Sequence, residues 1–353
     1  MKNFKQSILV LTAALSLILG SCHKDKVVKP IPTPVTDGFY VLNQGLFNDN
    51  NSTLSFYDYS SKQVTADIFS SVNGRGLGDT GNDIEIYGSK MYIVVNISST
   101  IEVLNPKTAK SIRQIKLFNG TTGRQPRDVA FYKGNAYVTS YDGTVAVIDT
   151  ATLGVKSYIT VGRNPEQLAV ANGKLYVANS GGLGYPNYDT TVSVIDLSTG
   201  LVTKTLTVAA NPQNVGTDGN GNVYVVSAGN YSTVGPSLAV IDDNADVVKS
   251  QTDFDGSNMV VQGDNAYFIT STNAIKVYNV KTSTVTTASF ITDGTKITTP
   301  YSLAVDASTG EVFVTDAKDY TSAGAVYVFD KTGKKEYSIT AGINPGKIAL
   351  LKQ

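Results

Sequence analysis

The chain has 353 residues, 41% of them hydrophobic, which is ordinary for a globular protein and ample for a large core. Its formal net charge is 0, and loss of a basic leader would leave a slight acidic excess, so we predict no nucleic-acid partner. One cysteine and one histidine exclude an internal disulfide, a His/Cys zinc cluster and a Ser-His-Asp or Cys-His catalytic pair in the body of the protein.

The first predicted element is a lipoprotein signal peptide over residues 1–21. Lys2 and Lys5 precede an apolar run over residues 8–19 that is too short to span a bilayer comfortably. Leu19-Gly-Ser-Cys22 resembles a bacterial lipobox, which implies cleavage before Cys22 and lipidation of that cysteine. An ordinary signal peptide with an incidental cysteine is the alternative. We expect a protein anchored to the outer membrane, on the cell surface or on the periplasmic face.

Residues 22–36 are predicted to be a tether between the lipid and the folded body. Three prolines, Pro30, Pro32 and Pro34, favour an extended and semi-rigid chain. His23 lies beside the anchor, so we interpret it as part of the tether and not as a ligand. Membrane contact is expected through the lipid anchor only.

An aromatic strand motif then recurs about every 45 residues, which is the period of a four-stranded propeller blade. The aromatic residues of its seven copies are Tyr40, Tyr92, Tyr137, Tyr176, Tyr224, Tyr267 and Phe313. A second motif follows each copy, as in Val145-Ala-Val-Ile-Asp149, and predicts a half-buried strand that enters a turn.

A third motif precedes six of the aromatic strands, as in Asp128-Val-Ala-Phe131, but none precedes Tyr40. Its seventh copy, Lys347-Ile-Ala-Leu-Leu351, stands at the C-terminus. We therefore predict that the C-terminal strand pairs with the N-terminal strand and closes a ring. The predicted fold over residues 37–353 is all-β: a seven-bladed β-propeller with four-stranded antiparallel blades.

The repeats resemble those of the YVTN/YncE-like propeller family. The resemblance is carried by segments such as Leu175-Tyr-Val-Ala-Asn179 and the run over residues 192–200, and it covers residues 37–353. It implies a fold more than a function, because propellers perform many unrelated tasks. The repeated aromatic residues are interpreted as core packing between blades.

The two faces of the predicted ring differ in loop length. Turns such as Asn172-Gly-Lys174 and Lys331-Thr-Gly333 are tight on one face, whereas the long loops all lie on the other. Tyrosines and arginines are favoured anchors of binding surfaces, and several stand on these long loops. The candidate ligand-binding residues are Phe47, Arg75, Arg124, Arg127, Tyr141, Arg163, Tyr185, Tyr188, Tyr231, Tyr301 and Tyr320. Packing between neighbouring loops and pairing of the arginines with local acids is the alternative for each residue.

A narrower resemblance suggests a ligand. The stretches over residues 42–45, 73–96 and 310–346 look like the lipoprotein propellers of Bacteroidetes whose best-known members are the BtuG cobalamin-capture proteins. That resemblance implies capture of cobalamin, or another bulky small molecule, for a TonB-dependent transporter. We expect a non-catalytic binding protein without a cofactor. The alternative is a protein- or glycan-interaction platform of an outer-membrane uptake complex.

Three weaker chemical signals are also present. Gly74-Arg-Gly-Leu-Gly78 looks like a phosphate loop, but a strand follows it and not a helix, so we interpret it as a loop. Acids on long loops could hold calcium, namely Asp49, Asp189, Asp316 and Asp319, although EF-hand spacing is absent and we predict no metal site. A metal-dependent hydrolase would need the inner-strand acids Asp83, Glu85, Asp128 and Glu166, which also follow the turn positions of the repeat.

Overall fold

Four-stranded antiparallel sheets make up nearly all of the structure. The computed structural model describes residues 36–352, and these form seven such sheets arranged as the blades of a β-propeller. The predicted fold class is therefore confirmed. The predicted signal peptide, Cys22 and all of the tether except Thr36 lie outside the described residues, and Thr36 already begins the first strand.

Blade 1 joins the two ends of the described chain. From the innermost strand outward it contains β30 (Pro345–Lys352), β1 (Thr36–Asn43), β2 (Thr53–Asp58) and β3 (Gln63–Thr65). Strands β1 and β30 are antiparallel, with Tyr40 opposite Ala349 and Phe39 opposite Leu350. The predicted closure by the C-terminal strand is confirmed.

Blades 2 to 7 follow in chain order, and each runs from an inner to an outer strand. Blade 2 contains β4 (Gly81–Tyr87), β5 (Lys90–Val95), β6 (Thr100–Leu104) and β7 (Ser111–Lys116). Blade 3, after the small hairpin β8 (Phe118–Asn119) and β9 (Thr122–Gly123), contains β10 (Pro126–Tyr132), β11 (Asn135–Ser140), β12 (Thr144–Asp149) and β13 (Val155–Thr160). Blade 4 contains β14 (Pro165–Ala171), β15 (Lys174–Asn179), β16 (Thr191–Asp196) and β17 (Leu201–Thr207).

The last three blades repeat the same order. Blade 5 contains β18 (Pro212–Thr217), β19 (Asn222–Ser227), β20 (Ser237–Asp242) and β21 (Val247–Asp253). Blade 6 contains β22 (Ser257–Gln262), β23 (Asn265–Ile269), β24 (Ile275–Asn279) and β25 (Thr284–Thr287). Blade 7 contains β26 (Pro300–Val305), β27 (Val312–Asp316), β28 (Ala323–Phe329) and β29 (Lys335–Ile343).

The repeated aromatic residue of each second strand is buried, with at most 9% of its surface exposed. Several of the tyrosines also tie neighbouring blades together. The Tyr40 hydroxyl donates to the Pro106 carbonyl (2.7 Å), and that of Tyr176 donates to the Asp246 carboxylate (2.5 Å). The ring of each such tyrosine packs in the core, and its hydroxyl forms a hydrogen bond to a neighbouring blade. The aromatic repeat is therefore structural.

The acid or amide that ends each third strand forms a local turn. In blade 3 the Asp149 carboxylate accepts from the N–H groups of Ala151 (2.9 Å) and Thr152 (2.8 Å), and Asp196 and Asp242 do the same in blades 4 and 5. Asp and Asn favour such turns because their short side chains replace a backbone acceptor. These turns make the tight face of the ring.

The opposite face carries the long loops and one short helix, α1 (Ile68–Asn73), between blades 1 and 2. The Asp67 carboxylate caps its start, and Gly74 ends it in a left-handed conformation (φ 65°). Phe69 of the helix is fully buried, which fixes the loop against the core. Within residues 36–352 nothing helical has the length and apolarity of a membrane span.

Candidate ligand-binding face

The central channel opens on the long-loop face. Five of the seven inner strands begin with proline, which has no N–H to give to a sheet and so marks the start of a strand. The next residue of every inner strand lines the mouth of the channel, so each blade contributes one position: Gly346, Asn82, Arg127, Glu166, Gln213, Asn258 and Tyr301. The cavity at the mouth has a volume of about 260 Å³ and is predominantly polar.

Arg127 is held rigidly at this mouth. Its guanidinium donates to Glu166 (2.9 Å from Nε to Oε2) and to Asn82 (2.6 Å from Nη1 to Oδ1), and it lies over the Tyr141 ring at 4.6 Å. The Tyr141 hydroxyl donates to the same Glu166 carboxylate. Burial alone would lower the pKa of Arg127, but the charge of Glu166 outweighs it and raises that pKa. The sequence-predicted Arg127 and Tyr141 are thus brought together in one network across blades 2 to 4.

A charged cluster lies one residue further along the inner strands. The Lys347 ammonium is 3.5 Å from Asp83 Oδ1 and 3.7 Å from Asp128 Oδ2. Burial and then the charge of Asp83 raise the pKa of Glu85 to about 7 and raise that of Asp128 well above its ordinary value. Burial lowers the pKa of Lys347, but the three carboxylates outweigh it, and the net shift is upward.

These contacts give three of the inner-strand acids, Asp83, Asp128 and Glu166, a role within the fold. Asp83 Oδ2 also accepts from the Val129 N–H of the next blade (3.0 Å), and Glu166 is committed to Arg127. A lysine therefore occupies the centre of the acids that a hydrolytic metal would need. No group of three or more His, Cys, Asp or Glu side chains in residues 36–352 is arranged to hold a metal ion. The absence of enzymatic activity stays a prediction.

A cleft between blades 5 and 6 continues from the mouth. It has a volume of about 500 Å³ and shares Gln213, Asn214 and Asn258 with the mouth. One wall comes from the loop over residues 228–236 of blade 5. The facing loop of blade 6 spans only residues 270–274, so nothing covers the cleft from that side. Mouth and cleft together form one elongated depression.

Exposed aromatic side chains stand around this depression on the loops between second and third strands. Phe47 and Tyr185 are each 68% exposed, Tyr231 is 65% exposed and Tyr320 is 50% exposed. Tyr188 connects two of them, with ring centroids 6.2 Å from Tyr185 and 5.9 Å from Tyr231. The face thus presents a polar centre and an aromatic periphery.

Tyr301 lies nearer the mouth than the exposed tyrosines. Its hydroxyl donates to Gln44 Oε1 (2.6 Å), and its ring meets that of Tyr320 edge to face at 6.0 Å. Burial raises its pKa, so the hydroxyl stays protonated. Tyr301 thus forms part of the wall of the channel mouth, and its hydroxyl proton is already donated to Gln44.

Tyr231 and Tyr320 both have a left-handed backbone, with φ of 56° and 65°. For an L-residue that conformation costs about 1–2 kcal/mol. At least half of each side chain is nevertheless exposed to solvent. Eighteen other non-glycine residues among residues 36–352 share this backbone conformation, so the exposed rings distinguish these two tyrosines and the backbone does not.

Comparison with known proteins places the chain in a family. The domain of unknown function DUF5074 matches residues 37–344. The chain belongs to this family. No curated protein matches it.

Two solved structures show which other proteins share the fold of this DUF5074 chain. A quinoprotein alcohol dehydrogenase-like protein from Bacteroides thetaiotaomicron superposes with a TM-score of 0.68 at 18% identity, covering 90% of this chain and 79% of that one. The hydrazine synthase of Kuenenia stuttgartiensis gives a TM-score of 0.58 at 16% identity, covering 71% and 76%. At such identities the likeness extends to the propeller fold alone.

The three remaining candidate arginines of the DUF5074 propeller lie at its periphery with local partners. Arg75 pairs with the fully buried Glu102 beside blade 2 (2.7 Å). Arg124 pairs with Asp142 and lies over the Tyr158 ring at 3.9 Å, and Arg163 pairs with Asp189. The structure does not bring these arginines to the mouth, and their ligand-binding role stays a prediction.

The loop acids considered for calcium are engaged in turns and pairs. Asp316 Oδ1 accepts from the N–H groups of Thr299 (2.8 Å) and Lys318 (2.9 Å). Asp319 accepts from the next turn, at Thr321 (3.0 Å) and Ser322 (2.7 Å). Asp189 holds Arg163, and Asp49 lies in a turn closed by its own N–H to the Leu46 carbonyl (3.2 Å).

Sequence reasoning missed the amide side chains that line the mouth. These residues are Gln44, Asn82, Gln167, Gln213, Asn214 and Asn258. The residue after the proline that begins an inner strand faces the mouth, and this signal finds five of the seven second positions. Among the missed amides, however, it finds only Gln213, because the others do not follow such a proline.

Proposed function

We propose that this propeller is a non-catalytic binding protein that captures a bulky nutrient on its long-loop face, with cobalamin or another corrinoid as the first candidate. One observation carries the proposal: the rings of Tyr231 and Tyr320 are exposed beside a polar mouth. A ligand that stacks on these rings would bury apolar surface that the folded chain leaves in water.

The dimensions of the face favour a broad ligand. A mouth of about 260 Å³ is smaller than ordinary pockets for whole small molecules, so a large ligand would lie across it. A corrinoid is broad, with amides around its edge and flat apolar surfaces. The amides of Gln213 and Asn258 and the guanidinium of Arg127 would meet that edge, and the tyrosines would meet the apolar surfaces.

The resemblance to BtuG-like lipoproteins supplies the biological context of this proposal. In that context the protein is anchored through Cys22 and transfers its ligand to a TonB-dependent transporter. The DUF5074 family assignment does not name a ligand. The chemistry of the face and the resemblance therefore support the proposal together.

Calorimetry with cyanocobalamin tests this function. We expect the wild-type protein to bind, and the double variant Tyr231→Ala with Tyr320→Ala to bind about tenfold or more weakly. Leu201→Ala is the matched control, because Leu201 is 65% exposed, as Tyr231 is, but lies on the outer strand β17. Absence of heat and of any change in the corrinoid absorption spectrum at micromolar protein would refute the proposal.

A contact with a protein partner is supported by a separate observation. Leu183, on the same loop as Tyr185, is 74% exposed and has no polar atom that water could bond. Such a side chain suits the apolar centre of a protein interface. We propose that this loop docks on the transporter. Affinity capture from membranes should recover a transporter with the wild-type protein and lose it with Leu183→Asp; recovery of the same partners by both would contradict this role.

A further inference from the structure

We infer that the cleft between blades 5 and 6 is a subsite for a flat, uncharged ring arm of the ligand that lies across the mouth. This inference rests on the proposed function, and in a cobalamin the arm would be the nucleotide base. The cleft shares three lining residues with the mouth, so a ligand bound at the mouth can extend into it without crossing a barrier.

Part of the cleft wall is apolar. Val234 and Pro236 line it from the blade 5 loop together with the Tyr231 ring, and Ile269 lines it from blade 6. Val234 is 44% exposed, so this surface is open to water in the free protein. Covering it with a ring releases that water, which is the main source of affinity in such pockets.

The floor of the cleft is polar and supplies free donors. Asn214 Oδ1 accepts from the Asn258 N–H (3.1 Å), while the side-chain N–H groups of Asn214 and Asn258 have no partner among residues 36–352. Gln213 Nε2 donates to the Tyr231 hydroxyl (3.3 Å), which ties the floor to the aromatic wall. Oxygen acceptors attached to the ring arm, such as hydroxyl or amide oxygens, would use these donors.

The charge of the cleft favours an uncharged arm. Asp255 is the one ionised side chain in its lining, and its carboxylate already accepts from the Ser271 N–H (2.8 Å). The Lys276 ammonium lies beside the cleft and donates to the Asp255 carbonyl. One acid and one neighbouring lysine leave the cleft without a net charge, which suits an uncharged ring better than an ion.

Gly235 leaves room for the arm although the fold does not require a glycine there. Its φ lies outside the left-handed region, and a Cβ at this position would meet nothing within 4 Å. Among the glycines of the described chain only Gly76, in a groove beside blade 2, has the same two properties. A glycine without a conformational or packing reason is typical of a place where a ligand approaches the backbone closely.

A comparison of two corrinoids tests the subsite. Calorimetry is carried out with cyanocobalamin and with dicyanocobinamide, which lacks the nucleotide base, on the wild type, Gly235→Leu and the matched control Gly76→Leu. We expect the wild type to bind cyanocobalamin about tenfold or more tightly than dicyanocobinamide. Gly235→Leu fills the cleft and should abolish that difference, and Gly76→Leu should retain it. Circular dichroism verifies that all three proteins are folded.

The outcomes separate the two proposals. Equal binding of both corrinoids by the wild type overturns the subsite and leaves the proposed function standing. A preference for cyanocobalamin that persists in Gly235→Leu also overturns the subsite. If the wild type binds neither corrinoid, the proposed function is refuted, and so is the subsite.

Discussion

One buried carboxylate, that of Asp306, bonds both ends of the described chain. Removal of this carboxylate should weaken the pairing that closes the ring. Asp306, fully buried in the turn after β26, accepts from the Thr36 hydroxyl (2.5 Å) and the Lys352 ammonium (3.0 Å). It also accepts from the Ser308 N–H (2.7 Å) within its own turn. Hydrogen bonds to a charged group contribute about 1.5–3 kcal/mol each, and the part-exposed lysine contributes less. We expect Asp306→Ala to lower the free energy of unfolding by about 3 kcal/mol.

Urea denaturation measures this loss, and Asp330→Ala is the matched control. Asp330 forms the same kind of local turn, with the N–H groups of Thr332 (2.7 Å) and Lys334 (3.1 Å), but holds neither chain end. Its loss should cost clearly less, because Asp330 is part-exposed and water replaces its hydrogen bonds, so the difference between the two substitutions reports the closure. Equal destabilisation by the two substitutions would refute the reasoning.

The pH dependence gives a second check on Asp306. Burial opposes its ionisation, but the hydrogen bonds from Ser308, Thr36 and Lys352 outweigh burial and lower the pKa of Asp306. A carboxyl whose pKa is lower in the folded state stabilises the fold above its unfolded pKa of about 3.9. The difference between wild type and Asp306→Ala should therefore be complete at neutral pH and shrink as the pH falls below about 4.

Three further predictions concern the channel, the closing strand and the anchor. Partial desolvation within the channel and the charge of Asp83 raise the pKa of Glu85 to about 7. Because the residue is exposed to solvent, the wild type should lose only a small part of its stability between the unfolded pKa of about 4.3 and pH 7. Glu85→Gln should then be more stable than wild type at pH 8 and equal at pH 4 in urea denaturation, and a constant difference would contradict this. Deletion of residues 345–353 removes the inner strand of blade 1, and we expect loss of the cooperative thermal transition; its retention would refute closure by that strand. Cys22→Ser should move the protein from the membrane fraction to the soluble fraction, and unchanged fractionation would count against the lipobox.

The fold was predictable from the sequence because the residues that recur in each repeat are those that the hydrophobic core requires. A buried ring such as that of Tyr176 fills the same place in the core of each blade, so the aromatic position recurs, with Phe313 in blade 7. The missing motif before Tyr40 and its extra copy at Lys347 allowed only one simple closure. Helix α1 was not predicted, because six residues without an extended apolar period leave no helical signal.

The site was predictable only in part, because exposure and pairing depend on loop conformation. Tyr231 and Tyr320 were identified as long-loop tyrosines, but their left-handed backbones and exposed rings are properties of the folded loops. Arg124 and Arg163 were identified by the same reasoning, yet the fold places Asp142 and Asp189 within reach of them. The sequence shows that an arginine stands on a loop, but it does not show whether an acid on a neighbouring loop already forms an ion pair with that arginine.

Two successive positions of the inner strands differ in what they contact. The third residue can support the next blade: Asp83 accepts from Val129 N–H (3.0 Å), and Gln167 accepts from Val215 N–H (3.3 Å). Third residues such as Gln167 line the mouth as well. The second residue faces the mouth and differs in almost every blade, with asparagine in two of them. This variety on a repeated scaffold gives the mouth no rotational symmetry, so a ligand can bind there in one orientation. An asymmetric mouth beside a lateral cleft is what a ligand with one distinct arm requires, and the same argument predicts that substitutions at second positions change binding, while those at Asp83 or Gln167 also change stability.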